Sequence, residues 1–496
     1  MLYYLGEWLV PFVGAFNVLT YITVRAGGAA FSAFLITLLI GPRLIHRLRL
    51  LKLGQYIRED HVQDLHALHK SKAGTPTMGG TLIIFSAVAS LVLWGRFSNR
   101  LLLLATVVLC VLGAIGFLDD YIKIRRKHNM GLTAKAKFAG QILVGLAVGL
   151  YVLYRPVTLD ATHLSERDVT DWRALMTELF AGEGMRPGTA AARFRELLPP
   201  EICRSVEENP WKYMWRSTST EEVRRALNGL LSLPDLYDAG SMGSLNLTKE
   251  GRQLLQAHGT GGSLSTMELA RLNRLLLEAT FPDSIPATQP DLHTRVEVPG
   301  FRWVLIPLGA AYVLLVVVIL VSSSNAVNLT DGLDGLAAGA SIMSLLAYTA
   351  IAYVVSRSDW SSYLYLIYVP EAAELTVFGA ALLGAGLGFL WFNCHPADVF
   401  MGDTGSLALG GAIGTMAILT KQELLLVVVG GLFVLEALSV LLQVASFKLR
   451  GKRIFKMAPI HHHFELAGWS ETKVTTRFWI ISLIFALMSL GALKFR

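Results

Sequence analysis

The chain has 496 residues, 53% of them hydrophobic and only 16% charged, with a net charge of +7. Soluble globular proteins carry roughly 25% charged residues, so this composition excludes an ordinary soluble domain, a disordered chain and a nucleic-acid binder. Cys110, Cys203 and Cys394 lie far apart and form no CxxC pair, which argues against a disulfide framework or a zinc site.

Apolar runs long enough to cross roughly 30 Å of hydrocarbon fall at residues 18–40, 79–95, 101–118, 137–154, 302–322, 336–355, 372–391, 405–420, 424–446 and 476–494. The expected fold is therefore an all-α polytopic membrane protein of about ten transmembrane helices. The run at 405–420 is short and Gly-rich, the weakest of the set. No cleavable signal peptide is expected, because no basic region precedes the first apolar stretch. Basic residues follow the first run (Arg43, Arg47, Arg49, Lys52, Arg58, Lys70, Lys72), the third (Lys123, Arg125, Arg126, Lys127, Lys135, Lys137) and the ninth (Lys448, Arg450, Lys452, Arg453, Lys456, Lys473, Arg477). All three runs are odd-numbered, so these loops share one face. The positive-inside rule makes that face cytoplasmic and puts both termini outside.

Residues 155–300 break the pattern. They are polar, with 16 Lys and Arg against 20 Asp and Glu, and they follow the fourth run, on the outer side. The stretch is too long for a structureless loop. Ser219-Thr-Glu-Glu222 and Ser265-Thr-Met-Glu268 read as capping boxes before amphipathic runs. The expected organisation is a membrane domain split into 1–154 and 301–496 around a mainly helical extracytoplasmic insert.

Polar residues beside membrane spans are costly and tend to mark function. Lys72 leads into Gly74-Thr-Pro-Thr77-Met-Gly-Gly80, a basic Gly/Thr loop able to hold phosphates, or to anchor the membrane surface. Asp119 and Asp120 adjoin at the inner end of the third run, with Lys123 one helical turn on. Two ionised neighbours need a cation nearby; a solvated helix end with an ion pair is the alternative. Between the fifth and sixth runs, Asn325-Ala-Val-Asn328-Leu-Thr-Asp331-Gly332-Leu333-Asp334-Gly335 offers hard oxygen ligands for Mg²⁺, or acceptors for sugar and base groups. Asn393 to Ser406 carries His395, Asp398 and Asp403 before the eighth run. There Asp403 is either a helix cap or a metal ligand beside a phosphate site, and His395 reads as structural. His461, His462 and His463 are adjacent, so they cannot all face one metal from a regular helix. Phosphate binding, base stacking or acid catalysis fits them better. One membrane face thus collects cations, carboxylates and histidines. That set suits transfer of a phosphorylated group from a soluble diphosphate donor to a lipid, with Mg²⁺ stabilising the leaving phosphate.

The motifs GTPTMGG, FLDDYIK, NAVNLTDGLDGLA, GLGFLWFN with VFMGDTGSLALGG, SFKLRG and MAPIHHHFE resemble the phospho-N-acetylmuramoyl-pentapeptide-transferase family over residues 1–154 and 301–496. The aspartate motifs mark the wider polyprenyl-phosphate N-acetylhexosamine-1-phosphate transferases; the triple histidine marks this branch. The resemblance implies ten transmembrane helices, a homodimer, and an active site on the cytoplasmic face of the bacterial inner membrane. It implies that UDP-N-acetylmuramoyl-pentapeptide and undecaprenyl phosphate give lipid I and UMP with Mg²⁺, the first membrane step of peptidoglycan synthesis. By motif, Asp403 is the implied Mg²⁺ ligand and His461 the catalytic histidine. Asp119 and Asp120 are implied to position or deprotonate the lipid phosphate, or one attacks as nucleophile. Lys72, Thr77, Lys123, Lys127, Lys135, Asn328, Asp331, Gly332, Leu333, Asp334, Asn393, Gln443, His462 and His463 are implied to line the substrate site. The insert departs from the short outer loop usual in the family. A sibling enzyme using UDP-N-acetylglucosamine, an ion-coupled transporter and a scaffold built on the insert are the alternatives. The triple histidine speaks against the first, and the placement of the acidic motifs at one face against the second.

Overall fold

The computed structural model describes residues 1–50, 75–126, 131–155, 249–259, 292–299, 305–364 and 366–494. By internal contacts the chain divides into two compact units, Met1–Thr158 with Asp291–Arg496, and Leu159–Pro290. Within the second unit one helix is described, Lys249–Gly259, with Leu255 buried. The capping boxes at Ser219 and Ser265 lie outside the described residues.

In chain order the helices are α1 Leu2–Leu9, α2 Ile22–Leu50, α3 Gly80–Trp94, α4 Arg100–Arg126, α5 Ala134–Tyr154, α6 Lys249–Gly259, α7 Tyr312–Thr330, α8 Leu336–Val355, α9 Ser358–Leu364, α10 Ala373–Asn393, α11 Gly402–Leu419, α12 Leu426–Val429, α13 Gly431–Arg450, α14 Ile460–Leu466 and α15 Glu471–Ala492. Strand β1, Arg295–Glu297, pairs antiparallel with β2, Leu305–Pro307, Val296 opposite Ile306. The molecule is therefore an all-α polytopic membrane protein.

Every expected run coincides with a helix, and among the described residues eight helices are long and apolar enough to cross a membrane. The two exceptions are physical. Helix α3 has only 15 residues. Helix α11 is rich in glycine and opens with an aspartate, but it is buried along nearly its whole length, so protein rather than lipid surrounds it. Small residues let the neighbouring helices come close to it. It packs chiefly on α4 and α7, while α10 packs on α2 and α8. The run expected from 302 begins later, because β2 ends at Pro307 and Gly309 turns the chain with φ +53°. The run expected over 424–446 is interrupted at Gly430, leaving the short α12 before α13.

The end opposite the acidic motifs holds buried ion pairs. Arg25 of α2 pairs with Glu374 of α10, and both side chains are at most 6% exposed. Glu374 also accepts the Arg96 N–H at 3.1 Å, and the Arg25 guanidinium lies 4.8 Å from the Tyr3 ring centroid. Lys421 lies between α11 and α12 and donates to Glu423 (2.8 Å) and to the Tyr312 hydroxyl (3.2 Å). Burial lowers the Lys421 ammonium pKa below its ordinary value, against the opposing pull of Glu423. Breaking a buried pair from one side leaves an uncompensated charge, at a cost of about 3–5 kcal/mol. Glu374→Ala should therefore lower the melting temperature sharply in detergent while leaving the donor KM of the surviving folded protein unchanged, because Glu374 lies at the far end of α10 from Asn393.

Candidate active site

The alternating directions of the helices bring four segment ends together: the end of α4, the start of α5, the end of α7 and the start of α11. Asp119 and Asp120, each 3% exposed, stand near the end of α4. Lys123, one turn on, places Nζ 2.5 Å from Asp119 Oδ2, 3.7 Å from Asp120 Oδ1 and 2.9 Å from Asp403 Oδ2. Lys137, in the first turn of α5, donates to the same Asp403 oxygen at 2.8 Å. The other oxygen of Asp403 accepts Asn328 Nδ2–H at 2.7 Å, and that amide also donates to Ser406 Oγ at 2.8 Å. Asp119, Asp120 and Asp403 each offer a carboxylate oxygen within 4.8 Å of the others.

The two adjacent aspartates have different surroundings. Asp120 accepts the Asp403 N–H (3.3 Å), the Thr404 N–H (3.0 Å) and the Thr404 hydroxyl (2.8 Å). The first N–H groups of a helix have no partner within it. Asp120 supplies one from another helix, while the residue at the cap position, Met401, makes no side-chain cap. Of the two readings of Asp403, the helix cap is thereby corrected: Asp403 sits inside the first turn and points to the lysines. Gly402, at φ +71°, makes the turn into α11, and Thr77 Oγ1 lies where its side chain would stand. Asp119 accepts one backbone bond, from Leu132 N–H at 2.8 Å.

A second group lies along the Asn328–Gly335 turn. Asp331 follows the end of α7, and desolvation, then the charges of Asp403 and Asp120, push its carboxyl up to about 7. Gly332 is exposed, and a side chain there would strike Nε2 of His461, which is fully buried in α14. Only a glycine allows this approach. Leu333 and Asp334 are buried. Asp334 accepts from Ala397 N–H at 3.2 Å and lies 3.0 Å from His395 Nδ1, and its own N–H donates to Glu471 at 2.8 Å. Asp334, His395 and Glu471 form another group with converging ligand atoms.

Two sequence profiles match this chain: Glycosyl transferase family 4 over residues 268–421, and Phospho-N-acetylmuramoyl-pentapeptide-transferase signature 1 over residues 72–84. The phospho-N-acetylmuramoyl-pentapeptide-transferase of Methylacidiphilum infernorum (isolate V4) is 38% identical over 497 residues, covering 100% of both chains. That of Koribacter versatilis (strain Ellin345) is 38% identical over 482 residues, covering 97% of this chain and 95% of the relative. This chain belongs to the phospho-N-acetylmuramoyl-pentapeptide-transferase family. Membership decides for the transferase over the transporter and scaffold alternatives.

Within this transferase fold, not every residue implied by motif faces the carboxylates. Asn393 is buried; it accepts Gly335 N–H at 3.2 Å and donates to the Val399 carbonyl at 2.8 Å, so it ties two loops together. Gln443 accepts Ile454 and Phe455 N–H at 3.0 Å each and donates to the Phe455 carbonyl, which folds the basic loop back on α13. His462 pairs with Glu465 at 2.7 Å, and His463 accepts Lys456 N–H at 3.1 Å. The three histidines thus point to three different partners. Lys135 is exposed, whereas Lys137, two residues on and at helical spacing on another face, reaches Asp403. Lys72 and Lys127 lie outside the described residues. Thr77 is half-buried in a segment that pairs with the loop before α11, where Phe400 N–H donates to Pro76 O and Gly79 N–H to Phe400 O, both at 2.8 Å. Lys137, Thr404, Ser406 and Glu471 also take part in the site, without standing out in the sequence as candidates. Lys137 was visible only as one cation among many, and the others as ordinary helix-start residues.

The donor set suits a hard divalent cation: converging carboxylate oxygens with an amide nearby. Asp403 and Asp119 are the better placed holders, because Asp120 is committed to the backbone of α11.

Proposed function

We propose that this protein transfers phospho-N-acetylmuramoyl-pentapeptide from its UDP-linked donor to undecaprenyl phosphate, releasing UMP and forming lipid I at the cytoplasmic face of the bacterial inner membrane. Family membership supports the reaction. The excess of Lys and Arg in the loops beside the site supports the cytoplasmic side for the site and the outer side for the insert. The observation that carries the site is the junction of Asp119, Asp120 and Asp403 with Lys123 and Lys137.

Mg²⁺ fits this junction and would supply Lewis-acid polarisation of the diphosphate oxygens. Lys123, Lys137 and, by motif, Lys72 and Lys135 bind and orient phosphate. Asn328 holds the Asp403 carboxylate in place. The turn from Asp331 to Asp334, with Thr77, Asn393, Gln443, His462 and His463 setting the surrounding loops, receives the nucleotide and sugar. His461 presents Nε2 to that turn, where it can take or give a proton at a phosphate oxygen. Asp119 keeps an oxygen facing Lys123 rather than the backbone, so it is the carboxylate available to the acceptor phosphate. A homodimer, as in the family resemblance, completes the reading.

The test is UMP release by purified protein in detergent or nanodiscs, given UDP-N-acetylmuramoyl-pentapeptide, undecaprenyl phosphate and Mg²⁺. Release should require all three. Equal release with UDP-N-acetylglucosamine as donor would overturn the substrate assignment. Molecular mass in nanodiscs tests the dimer.

A further inference from the structure

We infer that Glu436 is the positioning residue for His461, a role that rests on the transferase reading above. Glu436 lies in the second turn of α13 and His461 in the first turn of α14. Their side chains are both 0% exposed, and His461 Nδ1 is 3.1 Å from Glu436 Oε2. Among the described residues, neither Nε2 of His461 nor Oε1 of Glu436 has a hydrogen-bond partner. The His462 ring covers His461 on one side at 4.1 Å between centroids, and Gly332 stands directly before Nε2.

An ionised carboxylate only accepts hydrogen bonds. Facing an ionised Glu436, Nδ1 carries the proton. Nε2 is then a lone pair when the ring is neutral and an N–H donor when it is charged. Either form aims at the Asp331–Asp334 turn and none at the protein interior. The hydrogen bond at one ring nitrogen sets where a histidine carries its proton; behind metal-ligating histidines, losing such a carboxylate typically costs about 10–100-fold in activity. A buried polar atom left unpaired is costly. An unpaired Nε2 facing a glycine is therefore an atom kept for a ligand.

The test is Glu436→Gln. The amide keeps the shape but can donate to Nδ1, which moves the proton to Nε2 and removes the counter-charge. We expect kcat for UMP release to fall about 10–100-fold, with the donor KM within about threefold. We also expect the His461 ¹⁵N resonances, assigned by their loss in His461→Ala, to move away from the Nδ1-protonated pattern. In the His461→Ala background, Glu436→Gln should cost no further activity. An unchanged kcat, or unchanged His461 resonances, would overturn the inference. If wild type released no UMP, the transferase reading would fall, while the nitrogen resonances would still decide the Glu436–His461 pairing.

Discussion

Asp403→Ala is expected to reduce kcat for UMP release by on the order of a thousandfold or more. A divalent cation acting as Lewis acid is worth several kcal/mol of transition-state stabilisation, and each ~1.4 kcal/mol is tenfold in rate. Asp403 is where four interactions meet: Lys123, Lys137, Asn328 and the proposed ion. Removing it also takes the carboxylate from between two ammonium groups, leaving Lys123 to Asp119 and Asp120 and Lys137 without this partner, so the alanine variant should lose stability as well. Asp403→Asn separates the two effects. The amide oxygen can still accept from Asn328, so the variant should stay folded. It cannot neutralise two lysines or hold a hard cation, so activity should fall as far as in the alanine variant. Mn²⁺ binding followed by electron paramagnetic resonance should weaken in both. Activity within tenfold of wild type in a folded Asp403→Asn preparation would remove Asp403 from the reaction.

The membrane architecture was legible because length and apolarity alone satisfy the bilayer. Each apolar run coincides with a helix, the run over 424–446 with two. The errors lie where a protein environment replaces lipid. Helix α11 tolerates a glycine-rich sequence because α4 and α7 enclose it. The break at Gly430 and the strand pair ending at Pro307 depend on local backbone rather than on hydropathy. The site was legible as a list of polar motifs, since carboxylates and amides beside a membrane need a reason to be there. Their partnership was not. That Asp120 binds the backbone of α11, while Asp119 faces Lys123, follows from how α4 is rotated against α11, and adjacent identical residues carry no sign of it. Likewise Lys137 differs from Lys135 only by the turn of α5. Glu436 lies 25 residues before its histidine, inside an apolar run where a single carboxylate gives no hint of its partner.

That difference between the aspartates makes Asp119→Asn and Asp120→Asn an informative pair. Both should lose activity, by about 10²–10⁴-fold, the range for removing a positioned acid–base group. Their stabilities should diverge. In Asp120→Asn the amide N–H₂ replaces one of the two accepting oxygens and meets either the Asp403 N–H or the Thr404 N–H, donor against donor, in a buried place. An unsatisfied buried group costs about 1–3 kcal/mol, and the start of α11, which carries Asp403, loses its anchor. The melting temperature should fall, and Mn²⁺ affinity should fall with it. In Asp119→Asn the amide oxygen can keep the Leu132 N–H, and the lost oxygen faces Lys123, whose long side chain still has Asp403 and Asp120 as acceptors. The melting temperature should stay near that of wild type while kcat falls. A folded, stable Asp119→Asn protein that still turns over would assign the reacting carboxylate elsewhere. A fall in stability shared equally by both variants would mean that the backbone bonds to Asp120 do not anchor α11. The expected outcome instead assigns the pair a division of labour: Asp120 fixes the helix that carries Asp403, and Asp119 meets the acceptor phosphate.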